Sequence, residues 1–178
     1  MDSQVFHDYI MFPTLAAMSK YGNFNYNTDA ARQLMLATAA QESHVGTYLK
    51  QVKGPALGPY QMEPATILDL YKNFATGDRR ELLHKFASVA ELEEAPLIAV
   101  IGNLHYATAL ARMNYRRFPT ALPVFGDQDG MWKYYKKYWN SVAGAATEED
   151  FDMNWKRFVK GVDFSDPSQR IKPSTVVV

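Results

Sequence analysis

At 178 residues, with 47% hydrophobic and 13% aromatic side chains, the chain is long enough to bury a real core and suits one domain. Nineteen basic and 19 acidic residues give a formal net charge of +0, which excludes an overall field that would draw the protein onto nucleic acid or an anionic membrane. Cysteine is absent, which excludes disulfides, thiolate chemistry and Cys-based zinc sites.

The opening "MDSQVFHDYIMFPTLAAMSK" has an acid, Asp2, before any base, so it lacks the positive start of a secretory signal and reads as a folded helix over 3–20, disturbed at Pro13. The Asn-rich turn "YGNFNYNTD" supplies a cap at Thr28 or Asp29. Residues 29–45 then form the least polar helix of the chain. Its polar members before Gln41 are Arg32, Gln33 and Thr38, so most of its circumference must be covered and it reads as the central helix. Gly54, Pro55, Gly58 and Pro59 forbid a long helix next and predict a short extended lobe or hairpin. Pro64 suits the first turn of a helix running to about Phe74. Further helices are expected over 79–90, 93–117, 127–141 and 147–160, the last capped by Thr147 with acids in its first turn. After Val162 the tail 163–178 has no periodicity and reads as a strap or a partly disordered end. The longest apolar run, "APLIAVI", is far short of the roughly 20 residues that span a bilayer, so no membrane insertion is expected.

Within the central helix Glu42 is the one acid near the C-terminal end, and Ala39, Thr38 and Met35 lie three, four and seven residues before it. It therefore continues an apolar stripe and should face inward or into a cleft wall. Desolvation there favours the protonated carboxyl near neutral pH, the state a general acid requires. A carboxylate at a helix end is also often solvated or paired to a base, and position alone does not choose between these.

The loop beyond it carries a motif. "GPYQMEPAT", residues 58–66, resembles the Gly-Leu-Met-Gln-(Ile/Leu)-x-Pro-x-Thr signature of the soluble lytic transglycosylase and goose-type lysozyme superfamily, with Gly58, Gln61, Pro64 and Thr66 in register. "QESH" resembles that family's Glu-Ser motif, in which the Glu ends a helix and is the catalytic acid; this maps to Glu42, with Ser43 beside it. "NLHYATALARMNYRRFP" is similar to the family's helix beginning Asn-Ile, mapping Asn103 and Tyr106. "YWNSVAGAAT" falls where the family carries Ala-Tyr-Asn-Ala-Gly: Asn140 and Gly144 match, Trp139 stands in place of the Tyr, and two extra residues precede the Gly. Tyr138, Tyr106 and Tyr115 are the candidates for a hydroxyl that orients the acid. The resemblance covers residues 28–160 and is strongest to tailed-bacteriophage members.

The resemblance implies a mainly α, lysozyme-like single domain over 1–162 with a small loop or hairpin lobe. It also implies cleavage of the β-1,4 bond between N-acetylmuramic acid and N-acetylglucosamine. Glycosidases ordinarily use two carboxylates, about 5–5.5 Å apart for retention and roughly 6.5–9.5 Å for inversion. Between Ser43 and Tyr60 the chain has Lys50 and Lys53 but no Asp or Glu, which favours a one-acid mechanism. In a lytic transglycosylase the acid protonates the leaving oxygen, and its carboxylate then deprotonates the sugar's own 6-hydroxyl to close a 1,6-anhydro ring. Gln61 would hold an acetamido or hydroxyl group, Gly58 would let backbone approach the sugar, and Tyr48, Tyr60 and Trp139 could serve as flat sugar platforms or as core. Ser43, Asn103, Tyr106, Tyr138 and Asn140 complete the substrate-contacting set. Met62 reads as core. Glu63 and the Asp residues at 127 and 129 are the residual sources of a second carboxylate.

His7, His44, His84 and His105 have no HExxH spacing, and there is no GxSxG elbow or P-loop, so no metal or other cofactor is expected. "KYYKKYW" interleaves bases with aromatics as nucleic-acid binders do. Helical spacing separates Tyr134, Tyr135 and Trp139 from the lysines, however, which fits a packed amphipathic helix better. The expected partner is therefore the peptidoglycan glycan strand, with other virion proteins as further partners. The expected setting is a phage virion or an infected host cell, as a virion component or an endolysin acting on the host wall. A virion structural protein that grips glycan on a lysozyme-like scaffold, with weak or no cleavage, and a true muramidase hydrolase stay open as alternatives.

Overall fold

The computed structural model describes residues 1–87, 96–140 and 144–170. The fold is mainly helical, and the described residues contain isolated β-bridges but no strand. The first expected helix is three pieces: α1 (Ser3–Phe6), a π-helical turn (His7–Met11) and α2 (Phe12–Tyr21). The break has a local cause. Pro13 cannot donate and its ring crowds the preceding turn, and the ladder widens just before it, with the Phe12 N–H reaching His7 O.

Thr28 caps α3 (Asp29–Ser43), its hydroxyl accepting from the Ala31 N–H. Every residue from Ala31 to Ala40 in α3 is buried, so this is the central helix. Its polar members find partners inside, with the buried Arg32 Nε alone left without one among them. Arg32 donates to the carbonyls of Asn27 and Phe164 and pairs with Asp29, the Gln33 carbonyl accepts from Gly126 N–H, and Thr38 shares a 2.7 Å bond with the Tyr115 hydroxyl. Against α3 pack α7 (Leu104–Arg116), α8 (Gln128–Tyr135), α9 (Glu148–Asn154) and the π-helical turn Trp155–Val159 that continues α9.

α3 stops two residues earlier than its composition suggests. His44 and Val45 both take left-handed backbone, φ 49° and 55°, and the Val45 N–H closes onto Ala39 O as a helix-terminating turn. Such a conformation is strained for a β-branched residue, and Val45 is held in it by complete burial.

The expected hairpin lobe is present in reduced form, as antiparallel bridges Lys50 to Leu57 and Leu57 to Met62. α4 (Pro64–Asn73) follows, with Pro64 in its first turn, and then α5 (Asp78–Ala87). Residues 88–90 of the expected 79–90 helix lie outside the described residues. So do 93–95 of the next, position 141 and the tail beyond 170. The single helix expected over 93–117 is instead α6 (Ala99–Gly102) and α7, because Asn103 takes extended backbone and turns its side chain to cap α7 at the Tyr106 N–H. α8 runs directly into a second π-helical segment, Lys136–Asn140.

Over 163–170 the tail is a strap. Arg170 pairs with the nearly buried Asp8 at 2.7 Å and with Asp163, while Gln4 bonds both the carbonyl and the N–H of Asp163. Among the described residues no helix is long and apolar enough to cross a membrane.

Candidate active site

The end of α3, the bridged lobe, the start of α4 and the π-helical end of α8 surround an open cleft of about 730 Å³. Glu42 lies at its floor, brought there by the last turn of α3. Tyr48, Lys50, Gln51, Val52 and Ala56 contribute one wall from the lobe; Trp139, Asn140, Gly144 and Ala145 contribute the other. Gln61, Met62, Glu63 and Thr66 close the side toward α4, and Asn114 reaches in from α7.

Burial pushes the Glu42 carboxyl up to about 7, against the opposing pull of one hydrogen bond, 2.7 Å from the Tyr135 hydroxyl to Oε1. The Tyr135 phenol is in turn driven well above its ordinary value by burial first and by the Glu42 charge second, so it stays a neutral donor. No salt bridge reaches Glu42 among the described residues. A carboxyl in this state is half protonated at neutral pH and can both give and take a proton.

Ser43 acts from below the cleft. Its buried hydroxyl donates to Pro59 O at 2.5 Å and accepts from Gly46 N–H at 2.8 Å, pinning the end of α3 to the lobe that carries Gln61. Gln61 has φ 45°, a left-handed value rare outside glycine, and spends its amide N–H groups on Gly58 O at 2.7 Å and Tyr48 O at 3.3 Å. Its Oε1 is therefore the free end, an acceptor.

Several expected site residues sit elsewhere. Gly58 is buried at φ 73°, and a Cβ there would lie 2.7 Å from Val100 O; the glycine permits close approach to α6, not to a ligand in the cleft. Tyr60 is 1% exposed beneath Trp139, its hydroxyl toward Thr108, so it supports a platform instead of being one. Asn103 is a helix cap that also donates to Phe86 O. Tyr106 is fully buried and bonds the Tyr71 hydroxyl at 2.8 Å. Tyr138 turns to Thr120, and Tyr115 bonds Thr38. None of the three tyrosines expected to orient the acid does so; Tyr135 does. Tyr48 and Trp139 remain as cleft aromatics, and Met62, 3% exposed, belongs to both the core and the cleft lining. Asp127 caps α8 and Asp129 pairs with Lys133, which leaves Glu63 as the second acid in the lining.

Tyr135, Asn114, Gln51, Val52 and Ala56 are among the residues that spacing did not nominate for the site. Tyr135 did carry a signal, since it shares a helical face with Trp139 four residues on. No cluster of three or more potential metal ligands occurs among the described residues. The chain has no match among models of protein families, curated proteins or solved structures.

Proposed function

We propose that this protein cleaves peptidoglycan as a lytic transglycosylase on a lysozyme-like scaffold, with Glu42 serving in turn as general acid and general base. The observation that carries the reading is the Glu42 carboxyl at the floor of an open, polar cleft, raised to about 7 by burial and steadied by a single neutral hydroxyl. The motifs around Glu42 and Gln61 supply the substrate class. Protonated Glu42 gives its proton to the oxygen leaving C1 of N-acetylmuramic acid as oxocarbenium character develops. The resulting carboxylate then takes the proton of the 6-hydroxyl as that oxygen closes on C1. Atoms balance without water, and Tyr135 donates to Oε1 while the carboxylate is charged. The free Oε1 of Gln61 accepts from an N–H or O–H of the glycan, and Tyr48 and Trp139 offer apolar faces to sugar rings.

The motif pattern further supports a tailed-phage origin, with the host wall as the target during infection or lysis. Glu63 in the same lining favours one second reading, a muramidase in which it activates water. The deciding experiment is digestion of purified cell wall by the wild type and Glu42→Gln. The amide keeps the shape and loses the proton, so turnover should fall by ~10²-fold or more while melting is retained. Wild-type-like digestion by the variant would reject Glu42 as the acid, and glycan binding without digestion by the wild type would make the protein a binding module.

A further inference from the structure

Lys136 opens the π-helical segment beside Tyr135, and the reaction as proposed gives it no task. Its ammonium makes three hydrogen bonds: 2.8 Å to Asn140 Oδ1, 2.6 Å to Gly144 O and 2.9 Å to Ala146 O. All three acceptors are neutral, and no salt bridge reaches Lys136 among the described residues. An ammonium has three donors and no acceptor, so this cation is saturated by one amide and two carbonyls of the cleft wall.

The bond to Asn140 has a consequence for direction. Because lysine can only donate, it fixes the carbonyl end of the Asn140 amide toward itself and turns the NH2 end away. Asn140 itself lines the cleft, so its NH2 end is the part of the amide left for a ligand there. A second feature fits this closure. At Gly144 a Cβ would lie 2.2 Å from both the backbone O and the Oδ1 of Asn140, so only glycine lets the wall come down onto the same amide.

We infer that Lys136 is a positioning residue for the cleft: it acts through Asn140, fixing that amide as a donor toward the ligand while tying down the wall at Gly144 and Ala146. The effect on turnover rests on the lytic reading; the orientation of the amide does not.

The test uses the full-length protein in two measurements. In ¹⁵N spectra of side-chain amides, with Asn140 assigned by its loss in Asn140→Asp, Lys136→Met should shift and broaden the Asn140 pair, and Lys136→Arg, still donor-only, should keep it near its wild-type position. On cell wall, Lys136→Met and Asn140→Ala should each lower kcat/KM on the order of tenfold, and the double variant should be no worse than the poorer single one, because one residue works through the other. An Asn140 signal unmoved by Lys136→Met, or losses that multiply in the double variant, would overturn the inference. A lowered melting temperature with neither effect would reduce Lys136 to a structural staple and overturn it too. If the wild type shows no turnover, the lytic reading fails and the amide spectra alone decide on Lys136.

Discussion

Replacing Tyr135 by Phe isolates the one hydrogen bond made to Glu42. The ring itself is 1% exposed and packs on Phe151 and Trp132, contacts that Phe retains, so the change removes an oxygen and little else. The hydroxyl donates to Oε1 at 2.7 Å and favours the carboxylate over the acid. Hydrogen bonds to a charged group are worth about 1.5–3 kcal/mol, and 1.36 kcal/mol corresponds to one pKa unit, so losing this bond should raise the Glu42 pKa by roughly 1–2 units above its value of about 7. Titration of the ¹³C-labelled side-chain carboxyl, identified by its absence in Glu42→Gln, measures this directly. On the lytic reading, the alkaline limb of the pH-rate profile should move by the same amount, because activity falls as Glu42 loses its proton, and the rate on the plateau should drop as the carboxylate loses its partner. A Glu42 pKa that stays put or falls in Tyr135→Phe would refute the reasoning, since burial would then be acting alone.

Three further outcomes are expected. The Glu42 pKa is raised from 4.5 in the unfolded chain to about 7 in the fold, so protonation stabilises the native state; that contribution is complete below about 4.5 and is lost as pH rises through 7. Denaturant melts should accordingly show Glu42→Gln gaining on the wild type with increasing pH, by at most about 3 kcal/mol between pH 4 and 8, and parallel curves would contradict the burial of the carboxyl. Gly58→Ala, at φ 73° with Val100 O 2.7 Å from the new Cβ, should cost roughly 1–3 kcal/mol in the same assay, and a neutral result would mean that the α6 approach is loose. Digestion of cell wall in ¹⁸O water should leave the product unlabelled, as a 1,6-anhydro end requires; label at C1 would transfer the second step to water and make Glu63→Gln the next variant to examine.

The parts of the fold that the sequence exposes are those decided by short-range chemistry. The burial of α3 follows from having so few polar residues in it, and Thr28 and Thr147 cap their helices because a hydroxyl at that position meets a free N–H. The three π-helical turns among the described residues are different. In two of them nothing in the local sequence demands a widened ladder, and only Pro13 announces its own. The split at Asn103 belongs with these: its capping side chain is gained only if the chain already turns there, and helix and break compete on nearly equal local terms.

The same division runs through the site. That Glu42 faces inward or into a cleft wall is the expectation that helical spacing gives, since it continues a stripe of apolar residues, and the structure places it in the cleft lining. Which hydroxyl meets it was not readable, because α7, α8 and the π-helical segment hold five tyrosines, and even the adjacent Tyr134 and Tyr135 turn their hydroxyls to different partners, Thr120 O and Glu42. Tyr115 and Tyr135 both lie near the carboxyl, but Thr38, one turn before Glu42 on α3, engages the Tyr115 hydroxyl and leaves Tyr135 for the acid. The π-helical turn then decides the rest. It follows directly on Tyr135, and it sets Trp139 and Asn140 in the cleft wall with Lys136 reaching the carbonyls behind them. The irregular turn, which periodicity cannot foresee, is therefore the element that assembles one wall of the cleft. A straight α-helix with the same residues would rotate Trp139 and Asn140 relative to Tyr135, and with them the cleft wall.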